Sequence, residues 1–127
     1  MEKKNSVLIV DDDSINLMAL FHILRSDYNI LTAADGKSAL EKINKFMPDL
    51  ILLDVIMPDM NGFEVLAELK KSDKTKSIPV IIITGLIENE NEGLTLGAVD
   101  YIRKPFNNED VKQKVSRQLE ILNSRVQ

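Results

Sequence analysis

The stretch that decides the fold is VLIVDDD, residues 7–13, in which four apolar residues run without interruption into three aspartates. A short apolar run that does not alternate with polar residues is typical of a strand buried on both faces, as in a parallel sheet. Similar runs follow along the chain at residues 29–33, 50–53, 80–83 and 99–102. The runs at 29–33 and 99–102 are weaker because they include polar residues. The sequence therefore predicts five short strands.

Segments of helical length and period separate these strands. The predicted helices cover residues 14–25, 36–46, 62–71, 88–96 and 108–123. Asp13 and Ser14 provide a cap for the first helix. Its predicted buried stripe is Ile15, Met18, Phe21 and Leu24. The stripe of the last helix is Val111, Val115, Leu119 and Leu122, and its continuation to Val126 suits either packing on the sheet or a short dimer seam.

Strands that alternate with helices predict an α/β fold, with a parallel sheet covered by helices on both faces and joined by right-handed crossovers. The chain of 127 residues, 44% of them apolar, fits one domain, residues 1–127, with a core over about 5–123 and a helical extension to 127. No separate output domain is expected within it. The net charge of −4 argues against direct nucleic-acid binding. Without cysteine or a long apolar segment, we expect a cytoplasmic protein that does not enter a membrane.

Polar residues follow four of the predicted strands at the point where each strand ends. Asp11 and Asp12 follow the first strand, Asp54 the third, Thr84 the fourth, and Lys104 comes just after the fifth. The carboxyl ends of parallel strands meet at one edge of the sheet, where ligands bind. If these strands are neighbours at a spacing of about 4.8 Å, Asp54 lies between the acidic pair and Thr84. A lysine side chain is long enough to cross much of the remaining gap.

The predicted cluster of carboxylates has a specific chemistry. Three carboxylates at close range repel one another and raise one another's pKa unless a cation lies between them. A set of oxygen ligands suits Mg²⁺, which binds through one or two carboxylates, water and phosphate. A carboxylate such as Asp54 can act as a phosphoryl acceptor, and transfer to it depends on positioning and on neutralised charge.

Four motifs, each at the end of a predicted strand, resemble those of the receiver domain of bacterial two-component response regulators. They are VLIVDDD at 7–13, LLDVIMPDMNG at 52–62, PVIIITG at 79–85 and GAVDYIRKPF at 97–106. The resemblance covers about residues 5–123. It implies a five-stranded flavodoxin-like sheet with strands in the order 2-1-3-4-5.

The resemblance also implies roles for individual residues. Asp54 would be the phosphoacceptor, and Asp11, Asp12 and Asp54 would hold Mg²⁺ with the backbone carbonyl of Ile56 as a further ligand. No other cofactor is expected.

The remaining implied roles belong to the switch and its partners. Thr84 and Lys104 would hold the phosphoryl group, and Tyr101 would be the aromatic switch. In this family the peptide bond from Lys104 to Pro105 is often cis. The phosphodonor would be a sensor histidine kinase or a histidine phosphotransfer protein. A homodimer through the fourth helix, fifth strand and fifth helix is possible in such a family.

Other interpretations remain open at this stage. A phosphohydrolase with an aspartyl nucleophile uses a similar sheet, but such enzymes usually carry a second acid two residues after the nucleophile, where this chain has Ile56. We therefore expect a switch that assists only its own phosphorylation and dephosphorylation. A binding module with an inactive site would lack site residues that this chain has. We further hypothesise that the apolar Ile56 and Leu86 restrict water and prolong the phosphorylated state. His22, the single histidine, is expected at the surface or in packing.

Overall fold

The computed structural model describes residues 4–125, which form five strands and five helices in strict alternation. The strands are β1 Ser6–Val10, β2 Asn29–Ala33, β3 Leu50–Asp54, β4 Val80–Thr84 and β5 Asp100–Arg103. The helices are α1 Ser14–Leu24, α2 Gly36–Phe46, α3 Gly62–Lys71, α4 Ile87–Thr95 and α5 Asn108–Arg125. Every predicted element is present, and the ends move by small shifts. Residue 126 and the predicted extension to 127 lie outside the described residues.

The sheet has the predicted parallel order β2-β1-β3-β4-β5. Val10 pairs with Leu53, so β1 and β3 end side by side. Asp54 pairs with Ile83, one residue before the end of β4, and Thr84 pairs with Arg103 at the end of β5. The register therefore places the carboxyl ends of β1, β3, β4 and β5 along one edge of the sheet.

The sheet is buried on both faces, which explains its continuous apolar strands. Leu8 and Val10 belong to a core cluster formed with α2 and α3, whereas Val7 and Ile9 belong to a second cluster formed with α1 and α5. Because successive side chains of a strand point to opposite faces, each apolar run supplies both clusters. All residues of β3 and β4 are buried.

Helix α1 buries a different face from the one predicted. Ile15 is 78% exposed and Met18 is 61% exposed, so the predicted stripe is wrong for these two residues. The buried residues are Leu20, Ile23 and Leu24. The sequence of α1, SINLMALFHIL, has apolar residues on most of its circumference, so their spacing does not select one face.

The stripe of α5 is confirmed over the described residues. Val111, Val115 and Leu119 are buried, and Leu122 packs against the same cluster. The last helix therefore uses this stripe to cover the sheet. Between residues 4 and 125, the structure contains no helix whose length and apolar character would allow it to cross a membrane.

Candidate functional site

The ends of β1 and β3 bring three acids together. Asp11 and Asp12 come directly after β1, and Asp54 is the last residue of β3. One carboxylate oxygen from each of the three lies within 4.8 Å of the others. Asp11 and Asp54 are buried, at 0% and 2% exposure, whereas Asp12 is exposed. The site is thus an acidic pocket with two buried carboxylates and, at its mouth, one exposed carboxylate.

The two oxygens of Asp11 have different surroundings. Oδ1 accepts a hydrogen bond from the backbone N–H of Asp13 at 2.9 Å. Oδ2 is buried and has no hydrogen-bond partner among residues 4–125. A buried carboxylate oxygen without a donor is costly, so this atom is suited to a cation. Asp13, as expected, caps α1 by accepting a hydrogen bond from the N–H of Ile15 at 2.9 Å.

Lys104 reaches the acids from the far side of β4. Its Nζ donates a hydrogen bond to Asp54 Oδ1 at 2.8 Å and lies 3.9 Å from Asp11 Oδ2. Its backbone N–H donates to the carbonyl of Thr84 at 2.8 Å, which fixes the start of the side chain at the end of β4. The Lys104–Pro105 peptide is cis, as the resemblance implied.

Burial dominates the electrostatics of the pocket. It raises the pKa of Asp54 from 3.8 to about 6, against the opposing hydrogen bond from Lys104 and with a further increase from the charge of Asp11. Burial also raises the pKa of Asp11, against the backbone hydrogen bond from Asp13. Burial lowers the pKa of Lys104, but the hydrogen bond and charge of Asp54 outweigh it, so the pKa is raised overall. One ammonium does not balance three carboxylates, and the pocket favours additional positive charge.

Thr84 is the last residue of β4, the strand next to the one that ends in Asp54. Its hydroxyl forms no hydrogen bond with Asp54 in this structure. Thr84 is 2% exposed. Its Oγ1 accepts hydrogen bonds from the backbone N–H of Leu86 and from Nδ2 of Asn89, both at 3.1 Å. The hydroxyl is therefore directed to the start of α4 in this structure.

Tyr101 lies in β5 with its ring half-buried against the cluster that includes α2 and α3. Lys114 of α5 holds it at two points. The ammonium lies 4.7 Å from the centre of the ring and donates a hydrogen bond to the Tyr101 carbonyl at 2.5 Å. Ile56, two residues after Asp54, exposes 62% of its side chain at the rim of the site.

Two further positions shape the start of α3 beside the site, Asn61 and Gly62, and neither is among the residues predicted for the site. The N–H of Gly62 donates to the carbonyl of Val55 at 2.8 Å, and a Cβ at Gly62 would lie 2.9 Å from Val55 Cα and closer still to the carbonyl of Asp54. Only glycine lets α3 begin this close to Asp54. Asn61 and Glu64 form a reciprocal capping box, a pattern that their spacing could have predicted.

Comparison with known proteins gives a consistent result. Residues 7–116 match the family model of the response regulator receiver domain. The alkaline phosphatase synthesis transcriptional regulatory protein PhoP of Bacillus subtilis is 39% identical over 118 residues, which cover 91% of this chain and 48% of PhoP. The chain thus spans about half the length of that relative.

Two solved structures have the same fold. The chemotaxis response regulator CheY4 of Vibrio cholerae has a TM-score of 0.86 and 34% identity, covering 91% of this chain and 99% of CheY4. The receiver domain of a sensor histidine kinase from Pseudomonas aeruginosa, solved with a magnesium ion in its active site cleft, has a TM-score of 0.86 and 26% identity, covering 93% of this chain and 99% of that domain.

Proposed function

Because this chain belongs to the family of response regulator receiver domains, we propose that it signals by accepting a phosphoryl group on Asp54. One observation carries the assignment. The carboxylate of Asp54 is buried at the meeting point of two further acids and is already hydrogen-bonded to the ammonium of Lys104 at 2.8 Å. This arrangement combines a nucleophilic oxygen with the groups that neutralise an incoming phosphate.

The acidic pocket fits Mg²⁺. The buried Oδ2 of Asp11 lacks a hydrogen-bond donor among residues 4–125, and the other oxygens of the cluster are hard ligands of the type that Mg²⁺ prefers. Asp11, Asp12 and Asp54 would hold the ion, with the carbonyl of Ile56 as a further ligand. When bound, the metal supplies positive charge that neutralises the carboxylates and the oxygens of the phosphoryl group.

The side chains of this chain then have distinct tasks in the transfer. A carboxylate oxygen of Asp54 attacks the phosphorus of a phosphohistidine, a new O–P bond forms, and the P–N bond breaks with its electron pair returning to the imidazole. Lys104 is positioned to hold a phosphoryl oxygen through the ammonium that now contacts Asp54. Thr84 donates a hydrogen bond from its hydroxyl to another phosphoryl oxygen after turning from α4 toward the site.

The output is a change of surface. Phosphorylation shifts a pre-existing equilibrium, in which Thr84 turns inward and the ring of Tyr101 follows it. The surface formed by α4, β5 and α5 is the proposed output face and the proposed site of homodimer formation. Exposed apolar side chains support this, among them Ile87 at 60% and Leu94 at 42% exposure on α4, and Val99 at 41% exposure just before β5.

Receiver domains accept phosphoryl groups from histidine kinases, and we propose a sensor histidine kinase or a histidine phosphotransfer protein as the donor to this chain. The phosphohydrolase alternative has no support from the comparisons. Ile56 also leaves no acid at the position two residues after the nucleophile. The prediction of a cytoplasmic location remains a prediction.

The test is phosphorylation by a small phosphodonor. Wild-type protein incubated with acetyl phosphate and Mg²⁺ should gain one acid-stable, base-labile phosphoryl group, measured by intact mass. Asp54→Asn should gain none, whereas Asp59→Asn, in the exposed loop after β3, should be labelled as fully as wild type. Labelling of Asp54→Asn would overturn the assignment. Turnover of a small phosphate ester beyond one equivalent per chain would favour the phosphohydrolase instead.

A further inference from the structure

We propose that Asn89 is a positioning residue that holds the Thr84 hydroxyl away from Asp54 until the phosphoryl group arrives. The inference rests on the proposed function and names a restraint on that same site. It starts from a single contact, the hydrogen bond that Nδ2 of Asn89 donates to Thr84 Oγ1 at 3.1 Å. Thr84 is 2% exposed and Asn89 is half-buried, so this contact is partly shielded from solvent.

The hydrogen bonds of Thr84 define what its hydroxyl can still do. A hydroxyl has one proton and two acceptor positions. Leu86 N–H and Asn89 Nδ2 use both acceptor positions, which leaves the proton for an oxygen acceptor. The bond from Leu86 is local to the turn after β4. The bond from Asn89 comes from a side chain on α4 and opposes rotation of Thr84 toward β3.

Helix α4 cannot simply follow Thr84, because its next turns are fixed to the sheet. Glu90 accepts two hydrogen bonds from Arg103 of β5, at 2.7 and 3.0 Å. Gly93 lies so close to β4 that a Cβ there would overlap the side chain of Ile82, which is fully buried. With α4 held in this way, rotation of Thr84 breaks its bond with Asn89 rather than moving the helix.

The restraint has two consequences. It favours the state in which Thr84 is not engaged, and so weakens the apparent affinity for any ligand that needs Thr84 turned inward. It also ties release of the Asn89 side chain, next to the output face, to occupancy of the site. A part-buried neutral hydrogen bond of this kind corresponds to roughly two- to tenfold in the equilibrium between the two orientations of Thr84.

The experiment measures binding of beryllium fluoride, a phosphoryl mimic, to the whole chain in the presence of Mg²⁺ by calorimetry. Asn89→Ala should bind the mimic roughly two- to tenfold more tightly than wild type. Asn91→Ala is the matched control. Asn91 is exposed on the same helix, and its side chain forms no hydrogen bond among residues 4–125; the hydroxyl of Thr95 donates to its backbone carbonyl. This variant should bind as wild type does.

A double-mutant cycle with Thr84→Ala separates the restraint from a general effect on α4. In the Thr84→Ala background, Asn89→Ala should leave the affinity unchanged, because the restrained hydroxyl is gone. An effect that persists in this background, or Asn89→Ala binding no more tightly than wild type, would overturn the inference. Absence of mimic binding by wild type would instead remove the proposed function itself.

Discussion

Lys104 and Asp54, separated by 50 residues, form a 2.8 Å ion pair across the end of strand β4. The same ammonium lies 3.9 Å from Asp11 Oδ2, so one cation serves two buried carboxylates. Neither acid is fully compensated, and burial still raises the pKa of both. This imbalance leaves the site short of positive charge, so the ionisation of Asp54 and the binding of a cation should both affect the stability of the protein.

In magnesium-free buffer, the ionisation of Asp54 should destabilise the folded protein as the pH rises from about 4 to about 6. The pKa of Asp54 is about 6 in the folded state and 3.8 without its surroundings, so the folded state binds more protons in this window. Stability therefore falls as the pH rises. The loss is absent below the lower pKa and complete above the higher one. By this linkage it is on the order of 1–3 kcal/mol.

Urea unfolding of wild type and Asp54→Asn at pH 4 and pH 7 measures this loss. Titrating groups remote from Asp54 contribute to both proteins and cancel in the comparison, whereas the repulsion between Asp11 and Asp54 is part of the measured loss. The free energy of unfolding should fall between the two pH values by about 1–3 kcal/mol more in wild type than in the variant. Parallel pH profiles would show that Asp54 ionises without cost.

Magnesium should reverse this destabilisation. A metal that binds only the folded state stabilises it by about 1.4 kcal/mol at ten times its dissociation constant. We expect the thermal midpoint of wild type to rise with Mg²⁺ concentration. In Asp12→Asn the rise should require more Mg²⁺, because the exposed carboxylate at the mouth of the pocket is lost.

Asp13→Asn is the control for the metal titration, because Asp13 caps α1 and asparagine is an equally good cap. Its midpoint should shift with Mg²⁺ as in wild type. Equal Mg²⁺ responses in all three proteins would place the ion elsewhere.

Gly62→Ala should destabilise the fold and disturb the site together. The added Cβ would lie 2.9 Å from Val55 Cα, a backbone atom that cannot move without shifting Asp54. Overpacking of this kind costs about 1–3 kcal/mol. The measurements are urea unfolding and Mg²⁺ affinity, both of which should weaken.

Gly85→Ala provides the comparison for that variant. Gly85 is exposed, and the nearest contact of a Cβ there is Lys104 Cβ at 3.8 Å, an ordinary packing distance. Its free energy of unfolding should stay close to that of wild type. If Gly62→Ala also left the free energy of unfolding unchanged, the close approach of α3 to β3 would have no energetic role.

The pair of Glu90 and Arg103 should stabilise the protein in a pH-dependent way. The hydrogen bonds from Arg103 hold the pKa of Glu90 below its ordinary value of 4.5. A depressed carboxyl pKa contributes stability above the unfolded pKa, and this contribution is lost as the pH falls through the folded pKa. Arg103→Gln should therefore be less stable than wild type at pH 7, with a smaller difference below about pH 4.

Arg117→Gln is the matched substitution, because Arg117 is exposed on α5 and forms no ion pair among residues 4–125. Its stability difference from wild type should not depend on pH in this range. A pH-independent difference for Arg103→Gln would mean that the arginine acts through packing alone.

The sequence predicted the fold well where a strand is buried on both faces, because such a strand is apolar along its whole length. In β1, Val7 and Ile9 face one cluster while Leu8 and Val10 face the other, so the apolar run itself reports a central parallel strand. Because parallel strands end at one edge of the sheet, the sequence also predicted that four side chains lie close together there: Asp11, Asp12, Asp54 and Lys104. These predictions needed only topology and the length of a lysine side chain.

What the sequence did not reveal depends on helix rotation and close approach. In α1 the apolar residues surround the helix, and only contact with the sheet selects Leu20 over Ile15. The bond between Asn89 and Thr84 depends on how α4 lies against β4, which no local pattern records. The need for glycine at position 62 likewise comes from backbone atoms of another element.

The pocket draws its acids and its amine from strand ends spread over most of the chain. A nascent polypeptide whose β5 segment is still inside the ribosome contains Asp54 but lacks the Lys104 ammonium that donates a hydrogen bond to it. Under the proposed function, the chain would therefore become able to accept a phosphoryl group only after its tertiary structure is complete. A kinase that acts on this domain would then phosphorylate only folded copies, and incompletely folded or damaged copies would not signal.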